Sequence, residues 1–173
     1  MIVSALNHGI YTWLDGATTW PVVLMEQNAP RPNTSYVGWR LGNSKRIAED
    51  YEGSPDAGGD STIVGNREMI AEVQAYGSGA RQQLENCRDA LSKETVRGTL
   101  ADSSCCVVEA TDVQNLSTVL NSSYEERALL EVRFRTWSEM VDQIGWIEHV
   151  RGDGTVVGPD SSAAWTGPLS VDF

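Results

Sequence analysis

Histidine, lysine and cysteine, which supply many catalytic side chains, are scarce in this chain. His8 and His149 are the only histidines, and they do not form the closely spaced pair typical of a metal site. Carboxylates are so abundant that they single out no acid and base pair. We therefore predict a protein that is not an enzyme, with no catalytic residue, no metal site, no cofactor and no small-molecule substrate.

The three cysteines are an odd number, and two of them, Cys105 and Cys106, are adjacent within the apolar stretch CCVVEA. An odd count in an apolar context favours buried reduced thiols over a disulfide framework. We predict that the thiols are buried and have no redox role.

Long hydrophobic runs are also missing. No stretch approaches the roughly 18 apolar residues that cross a bilayer, and the first residues, MIVSALNHGIYTW, lack the basic start of a signal peptide. We expect the protein to stay in the cytoplasm in which it is made and to have no membrane partner.

Positive charge is in short supply as well: the formal net charge is −11 and the pI is near 4.5. Extended nucleic-acid interfaces gain affinity from Lys and Arg that replace counterions, so this balance argues against a DNA-binding surface. It does not argue against a protein that surrounds DNA without holding it. The basic residues are nearly all arginine, which favours planar hydrogen-bonded pairing at protein interfaces.

The length of 173 residues and the hydrophobic content of 40% predict one folded soluble domain. We place this domain at residues 1–158 and an extended C-terminal arm at residues 159–173. The apolar spacing along the chain predicts helices over 3–16, 78–93 and 113–120, strands over 21–26, 36–41, 62–76, 105–109 and 124–137, and a hairpin turning at Gly152–Gly154. A helix is the alternative over 62–76. Residues 47–60 are acidic and rich in glycine, which predicts a mobile solvated loop without the carboxylate spacing of a calcium site.

Gly77-Ser78-Gly79 follows a predicted strand and opens a predicted helix, a position where backbone amides can bind phosphate. The dinucleotide pattern would need a third small residue at the position of Gln82. We favour a turn at Gly77 with Ser78 as the helix cap, and keep a small nucleotide-binding enzyme domain using Gly77-Ser78-Gly79 as the alternative.

Pro30 and Pro32 bracket Arg31 immediately before a predicted strand. Each proline fixes its own φ and moves the residue before it out of the helical region, so residues 29–32 are predicted to form a stiff extended connection. Such a connection can hold Arg31 outward at little entropic cost. We interpret it as a rigid loop between two strands that also contacts a partner.

Three blocks of residues in this order resemble recurring motifs of the tailed-phage neck and tail-terminator proteins. The second block precedes a predicted helix and the third leads into a predicted strand. The blocks are Gln27-Asn28 with Pro30-Arg31-Pro32, Tyr36-Val37 and Arg40-Leu41; Ala75-Tyr76-Gly77; and Tyr124-Glu125-Glu126-Arg127-Ala128.

The resemblance implies an α+β fold, with a mainly antiparallel sheet and two or three helices packed against it. It also implies that this subunit assembles into a ring, expected to be hexameric. That ring would end the tail tube, join it to the head-side connector and leave a channel through which DNA passes without specific binding. Its partners would be copies of itself, the neck connector and the tail-tube or sheath proteins, in a virion assembled in the host cytoplasm. Another head–tail joining or tail-tube protein is the alternative. The candidate interface residues are Gln27, Asn28, Pro30, Arg31, Pro32, Tyr36, Arg40 and Arg127.

Overall fold

The computed structural model describes residues 2–25, 30–120, 123–145, 149–157 and 163–172. The chain folds as two compact units. One comprises the chain up to residue 51 together with residues 64–139, and the other comprises residues 52–63 together with the chain from residue 140 onward. In the described ranges, no helix has the length and apolar character needed to cross a membrane.

The described residues contain three α-helices: α1 (Ile2–Ala17), α2 (Ala80–Ala90) and α3 (Glu94–Asp102). The first matches its prediction closely. The second is shorter than predicted at both ends, and α3 was not predicted from its spacing. Only Leu100 of α3 is buried, so this helix shows little of the apolar periodicity by which helices are recognised in a sequence.

The strands form one large sheet and two separate strand pairs, and they establish the predicted α+β class. In the large sheet the order is β1-β2-β5-β10-β6, with β3 and β4 also pairing with β5 and β7 pairing with β10. β1 is parallel to β2, and β2 is antiparallel to β5. β11 pairs with β12 and β8 with β9, both antiparallel. The strands are β1 (Val22–Leu24), β2 (Tyr36–Leu41), β3 (Lys45–Arg46), β4 (Tyr51–Glu52), β5 (Asp60–Tyr76), β6 (Cys105–Ala110), β7 (Gln114–Asn115), β8 (Thr118–Leu120), β9 (Ser123–Glu125), β10 (Arg127–Gln143), β11 (His149–Val157) and β12 (Ala163–Asp172).

The core of the first unit lies where α1 and α2 meet one face of the sheet. Trp13 of α1 contacts Phe134 of β10 edge to face, with ring centroids 6.1 Å apart, and its indole N–H donates to the carbonyl of Cys87 at 3.0 Å. The alternating residues predicted for β5 and β10 are all buried here, which confirms both strands and excludes the helical alternative over 62–76. They are Met69, Ala71, Val73, Ala75, Ala128, Leu130, Val132 and Phe134.

β2 is buried on both faces over Tyr36–Trp39, whereas its sequence predicted a half-buried strand. The opposite face is covered by the connection from β1, because the Met25 side chain lies 3.0 Å from the position that a Cβ on Gly38 would take. Tyr36 is covered as well and is only 7% exposed. The alternation prediction failed because a polar residue and a glycine at outward positions do not reveal a covering loop.

The helix predicted over 113–120 is wrong, because this segment forms β7 and β8. Residues 114 and 115 pair with Leu129 and Ala128 of β10. Eight residues are too few for a stable isolated helix, and a neighbouring strand offers the same backbone hydrogen bonds without the cost of helix nucleation. The loop predicted over 47–60 is mostly exposed, as expected for a solvated segment, but it contains β4 and the start of β5.

The hairpin predicted at Gly152–Gly154 is also wrong. These three residues lie inside β11, opposite Leu169, Pro168 and Gly167 of β12. A partner strand of matching length gives a continuous ladder, which outweighs the local turn preference of a Gly-Asp-Gly sequence. β12 lies within the arm predicted at 159–173, and the division between a domain at 1–158 and an arm stays a prediction.

The cysteines are free, and two of the three are buried as predicted. Cys87 faces the core from α2, and Cys105 faces it from β6. Burial raises the pKa of each of these two thiols to about 12. Cys106 is exposed, contrary to the prediction, because adjacent residues of a strand point to opposite faces and only one of the pair can face α3.

Candidate functional site

The stiff segment that the prolines predict is part of a crossover between two parallel strands. β1 and β2 pair in parallel, with Val22 opposite Val37, so the intervening residues 25–35 must return the chain to the starting end of the pair. Prolines suit this path because Pro30 and Pro32 lie outside the strands, where their missing N–H groups leave no ladder hydrogen bond unmade. The crossover ends just before Tyr36, where the site begins.

Two tyrosines form the centre of the site. The register of β2 and β5 places Tyr36 directly opposite Tyr76, and their rings stack with centroids 4.7 Å apart and an interplanar angle of 13°. Such directly opposed side chains are the closest neighbours available in an antiparallel pair. The Tyr76 hydroxyl donates a hydrogen bond of 2.5 Å to Oε1 of Gln74. Burial raises the pKa of Tyr36, so its ring stays neutral near pH 7.

Arg31 reaches this tyrosine pair from the crossover. Its guanidinium carbon lies 4.9 Å from the centroid of the Tyr76 ring and 5.7 Å from that of Tyr36. It also forms an ion pair with Glu125, the last residue of β9. Burial alone would lower the pKa of Arg31, but the hydrogen bond that it donates to Glu125 and the negative charge of that carboxylate raise its pKa, so the guanidinium stays charged. These contacts of Arg31 hold the crossover against the end of β5 and the end of β9, two strands that are distant from it in sequence.

Arg127 approaches the same tyrosine from the start of β10. Its guanidinium carbon lies 5.0 Å from the Tyr76 centroid, and Nη2 donates a 2.5 Å hydrogen bond to Oε1 of Gln74. Oε1 of Gln74 therefore accepts from both Tyr76 and Arg127. We call Arg31, Tyr36, Tyr76 and Arg127 the arginine–tyrosine cluster. It joins the crossover to β2, β5 and β10.

The turn after β5 lies beside the cluster and is held by Glu126. The N–H of Gly77 donates to the backbone carbonyl of Glu126 at 2.9 Å, and the N–H of Gly79 donates to its carboxylate at 2.5 Å. Gly79, with a φ of +87°, is the N-cap of α2 and no side chain caps the helix, so the predicted capping role of Ser78 is wrong. The Glu126 carboxylate accepts from the N–H of the N-cap residue Gly79 itself.

The hydrogen bonds between this turn and Glu126 argue against the alternative of a nucleotide-binding site. A phosphate at Gly77-Ser78-Gly79 would have to take the Gly77 and Gly79 amides from Glu126, and it would then lie against that negatively charged carboxylate. Both requirements cost free energy.

No group of three or more metal-ligating side chains comes together among the residues the structure describes.

A cavity of about 400 Å³ opens beside the cluster and has mostly polar walls. Arg31, Tyr36 and Tyr76 form one side, and Glu125 and Gly77 form another. A second cavity, of about 520 Å³, lies between Pro30, Pro32, Trp39 and Tyr11 and has mainly apolar walls. The Pro30-Arg31-Pro32 segment thus separates a polar cavity from an apolar one.

The structure brings together most of the residues singled out from the sequence. Arg31, Tyr36 and Arg127 meet in the cluster, and Pro30 and Pro32 flank it. Arg40 lies elsewhere on the sheet, where it makes hydrogen bonds of 2.8 and 3.0 Å with Glu72 of β5. Gln27 and Asn28 lie outside the described residues.

Sequence reasoning missed the residues that tie the cluster together: Tyr76, Gln74, Glu125 and Glu126. Tyr76, Glu125 and Glu126 belong to the blocks quoted for the family resemblance, and that recurrence was the signal that could have marked them. Nothing local distinguishes Gln74, whose role depends on Arg127 arriving from a strand that begins more than 50 residues later.

A comparison with protein families supports the resemblance. A family model for phage neck terminator proteins matches residues 4–160 of the chain. No curated protein matches the sequence. The matched span includes the whole arginine–tyrosine cluster, and the family is one of structural proteins of the phage neck, which implies a place in the virion and contacts with other neck proteins. The chain therefore belongs to the phage neck terminator family.

Proposed function

We propose that this protein forms a ring, expected to have six copies, that ends the tail tube and joins it to the head-side connector. The observation that carries the proposal is the family match over residues 4–160. DNA would pass through the centre of the ring. The partners would be copies of the chain, the connector, and tail-tube or sheath proteins, and assembly would take place in the host cytoplasm.

The negative net charge supports a protein through which DNA passes more than one that binds DNA. At a net charge of −11 the average surface repels a phosphate backbone, so DNA can move past it without being held. Several arginines on the sheet are paired with carboxylates: Arg135 lies 2.7 Å from Glu68, and Arg67 lies 2.7 Å from Asp50. Such pairing leaves these cations partly neutralised toward DNA.

The arginine–tyrosine cluster supports an assembly role for the crossover. A loop that contacts a partner must be ordered, and ordering at the moment of binding costs about 0.5–1.5 kcal/mol for each flexible side chain. Contacts of Arg31 with two rings and with Glu125 order the Pro30-Arg31-Pro32 segment beforehand. We propose this segment, together with Gln27 and Asn28, as part of the contact between neighbouring subunits or with the tail tube.

The proposal is tested with the purified chain alone and mixed with its tail-tube protein and with its connector protein. Light scattering would give the mass of the assembly, and negative-stain images would show whether it is a ring at the end of a tube. A monomer that binds neither protein would refute the proposal. Binding along the length of the tube, with no effect on its end, would favour the alternative of a tail-tube protein.

The contribution of the crossover is tested by Arg31→Ala against a matched control. Arg81→Ala removes an arginine from the exposed face of α2, where its ion pair with Glu85 is long, at 3.7 Å. We expect Arg31→Ala to reduce assembly and Arg81→Ala to leave it unchanged. Circular dichroism would establish that both variants are folded. Equal assembly of the two folded variants would remove the crossover from the interface.

A further inference from the structure

The large sheet has an open edge at β6. Within the described part of the chain, β6 pairs only with β10, through Cys105–Val107 and Glu109–Ala110, and its other side has no strand. Val108 is the extra residue of a β-bulge in this pairing. A bulge is one of the features that hinder an edge strand from pairing with another chain. This strand has none of the others that involve proline or lysine, and its single charged residue is Glu109.

A groove of about 430 Å³ runs along this edge. β6 provides one wall through Val107, Val108 and Glu109, and the end of α2 with the start of α3 provides the other, including Leu91 and Arg97. An extended segment lying in the groove would have free backbone groups of β6 on one side and the helix ends on the other. Recognition by adding a strand to a sheet edge uses this geometry.

The same chain carries a strand pair that lacks a third strand. β11 and β12 pair with each other over nearly their full lengths, and among the described residues their ladder extends to no other strand. An isolated pair of strands is marginally stable in water, and a third strand stabilises it. Of its two open edges, that of β12 contains Pro168, which has no N–H, whereas β11 contains no proline.

We infer that β11 of one copy adds to the β6 edge of a neighbouring copy, which makes a sheet continuous across the contact. The inference rests on the proposed assembly of copies and names the surfaces that form it. Because the two surfaces lie on different parts of the chain, the contact is heterologous, as closure of a ring requires. The length of β11, nine residues, is sufficient for the six residues of β6. The groove is lined by Arg88 and Arg97 as well as by Asp89 and Glu109, so the groove itself adds no net negative charge to the contact.

Cys106 provides a native probe, since it is the exposed thiol on β6. Disulfides form when Cα atoms lie about 4.4–6.8 Å apart, and directly opposed residues of paired strands meet this requirement. Single cysteines would be introduced into β11 of the full-length chain, and the assembled protein would be oxidised and separated without reductant. The substitutions are Val150→Cys, Arg151→Cys, Asp153→Cys, Thr155→Cys and Val156→Cys.

We expect covalent ladders of several copies from one or two neighbouring positions of the same strand face. The ladders should disappear when Cys106→Ser is added, and Gln82→Cys, on the exposed face of α2, should give none. If the variants assemble and no β11 cysteine reacts with Cys106, the inference is wrong while the ring proposal stands. If the unmodified chain gives dimers linked through Cys106, two β6 edges pair with each other and the inference is also wrong. Absence of any assembly, alone or with neck and tail partners, would refute both proposals.

Discussion

Removal of the Tyr76 ring is the most direct test of the arginine–tyrosine cluster, because this ring contacts the other three members. Tyr76→Leu keeps an apolar side chain at the position but abolishes the stacking on Tyr36 and the contacts with both guanidinium groups. An aromatic pair contributes about 0.5–1.5 kcal/mol beyond its buried area. Each cation–π contact at a partly exposed position contributes about 0.5–1 kcal/mol.

These contributions sum to about 1.5–3.5 kcal/mol of unfolding free energy. With a urea m-value of about 2 kcal/mol/M, the unfolding midpoint should fall by about 0.8–1.8 M. The measurement is urea unfolding followed by tryptophan fluorescence, since Trp13 and Trp39 are buried in the core. Tyr51→Leu is the matched control because Tyr51 is 71% exposed, and its effect should stay within about 0.5 kcal/mol.

A double-mutant cycle separates the arginine contact from general disruption. Arg31→Gln should cost about 0.5–1 kcal/mol less in the Tyr76→Leu background than in the unmodified chain, because the contact with that ring is already absent. The cycle leaves the ion pair of Arg31 with Glu125 out of the coupling energy. Equal effects of Tyr76→Leu and Tyr51→Leu, or additive effects of Arg31→Gln and Tyr76→Leu, would refute the proposed energetic role of the cluster.

Three further predictions concern other parts of the molecule. A maleimide at neutral pH should label one thiol per folded chain, Cys106, and three after denaturation; mass spectrometry would count them, and two or three labels on the folded chain would contradict the burial. Gly77→Ala should destabilise the fold by about 2 kcal/mol or more, since Gly77 has a φ of +120° and an added Cβ would overlap the Ser35 side chain. Gly98→Ala, at a position on α3 where an added Cβ meets open space, should stabilise the fold by about 0.5–1 kcal/mol. Urea midpoints that move in the same direction for both variants would contradict this. The hydrogen bond from Arg135 lowers the pKa of Glu68 in the folded chain. The ionised Glu68 therefore stabilises the fold above its ordinary pKa of 4.5, and this stabilisation is lost as pH falls through the lower folded pKa. Glu68→Gln should flatten this acid dependence of the urea midpoint, and an unchanged slope would contradict the assignment.

The long strands could be predicted because each has a pattern that one physical cause explains. Met69, Ala71, Val73 and Ala75 alternate with polar residues since one face of β5 meets the helices, and the same holds for β10. The wrong predictions concern segments whose secondary structure is decided by pairing with a strand elsewhere in the chain. Residues 114–115 and 152–154 have local preferences for a helix or a turn, and in both cases an available partner strand gave a ladder that outweighed the preference.

The candidate site shows the same division between local and distant information. The prolines around Arg31 predicted a stiff loop, and Arg127 was expected at the start of a strand, but no local pattern indicates that both residues meet on one ring. Their meeting requires Tyr36 to lie opposite Tyr76, and a slip of one residue between β2 and β5 would send one of the rings to the other face of the sheet. The buried alternation of β5 favours that register, so the position of Arg31 depends on the apolar residues of this strand as well as on its own contacts. Val73→Asp would place a carboxylate on the buried face of β5 and should therefore disorder the crossover as effectively as loss of Arg31 itself.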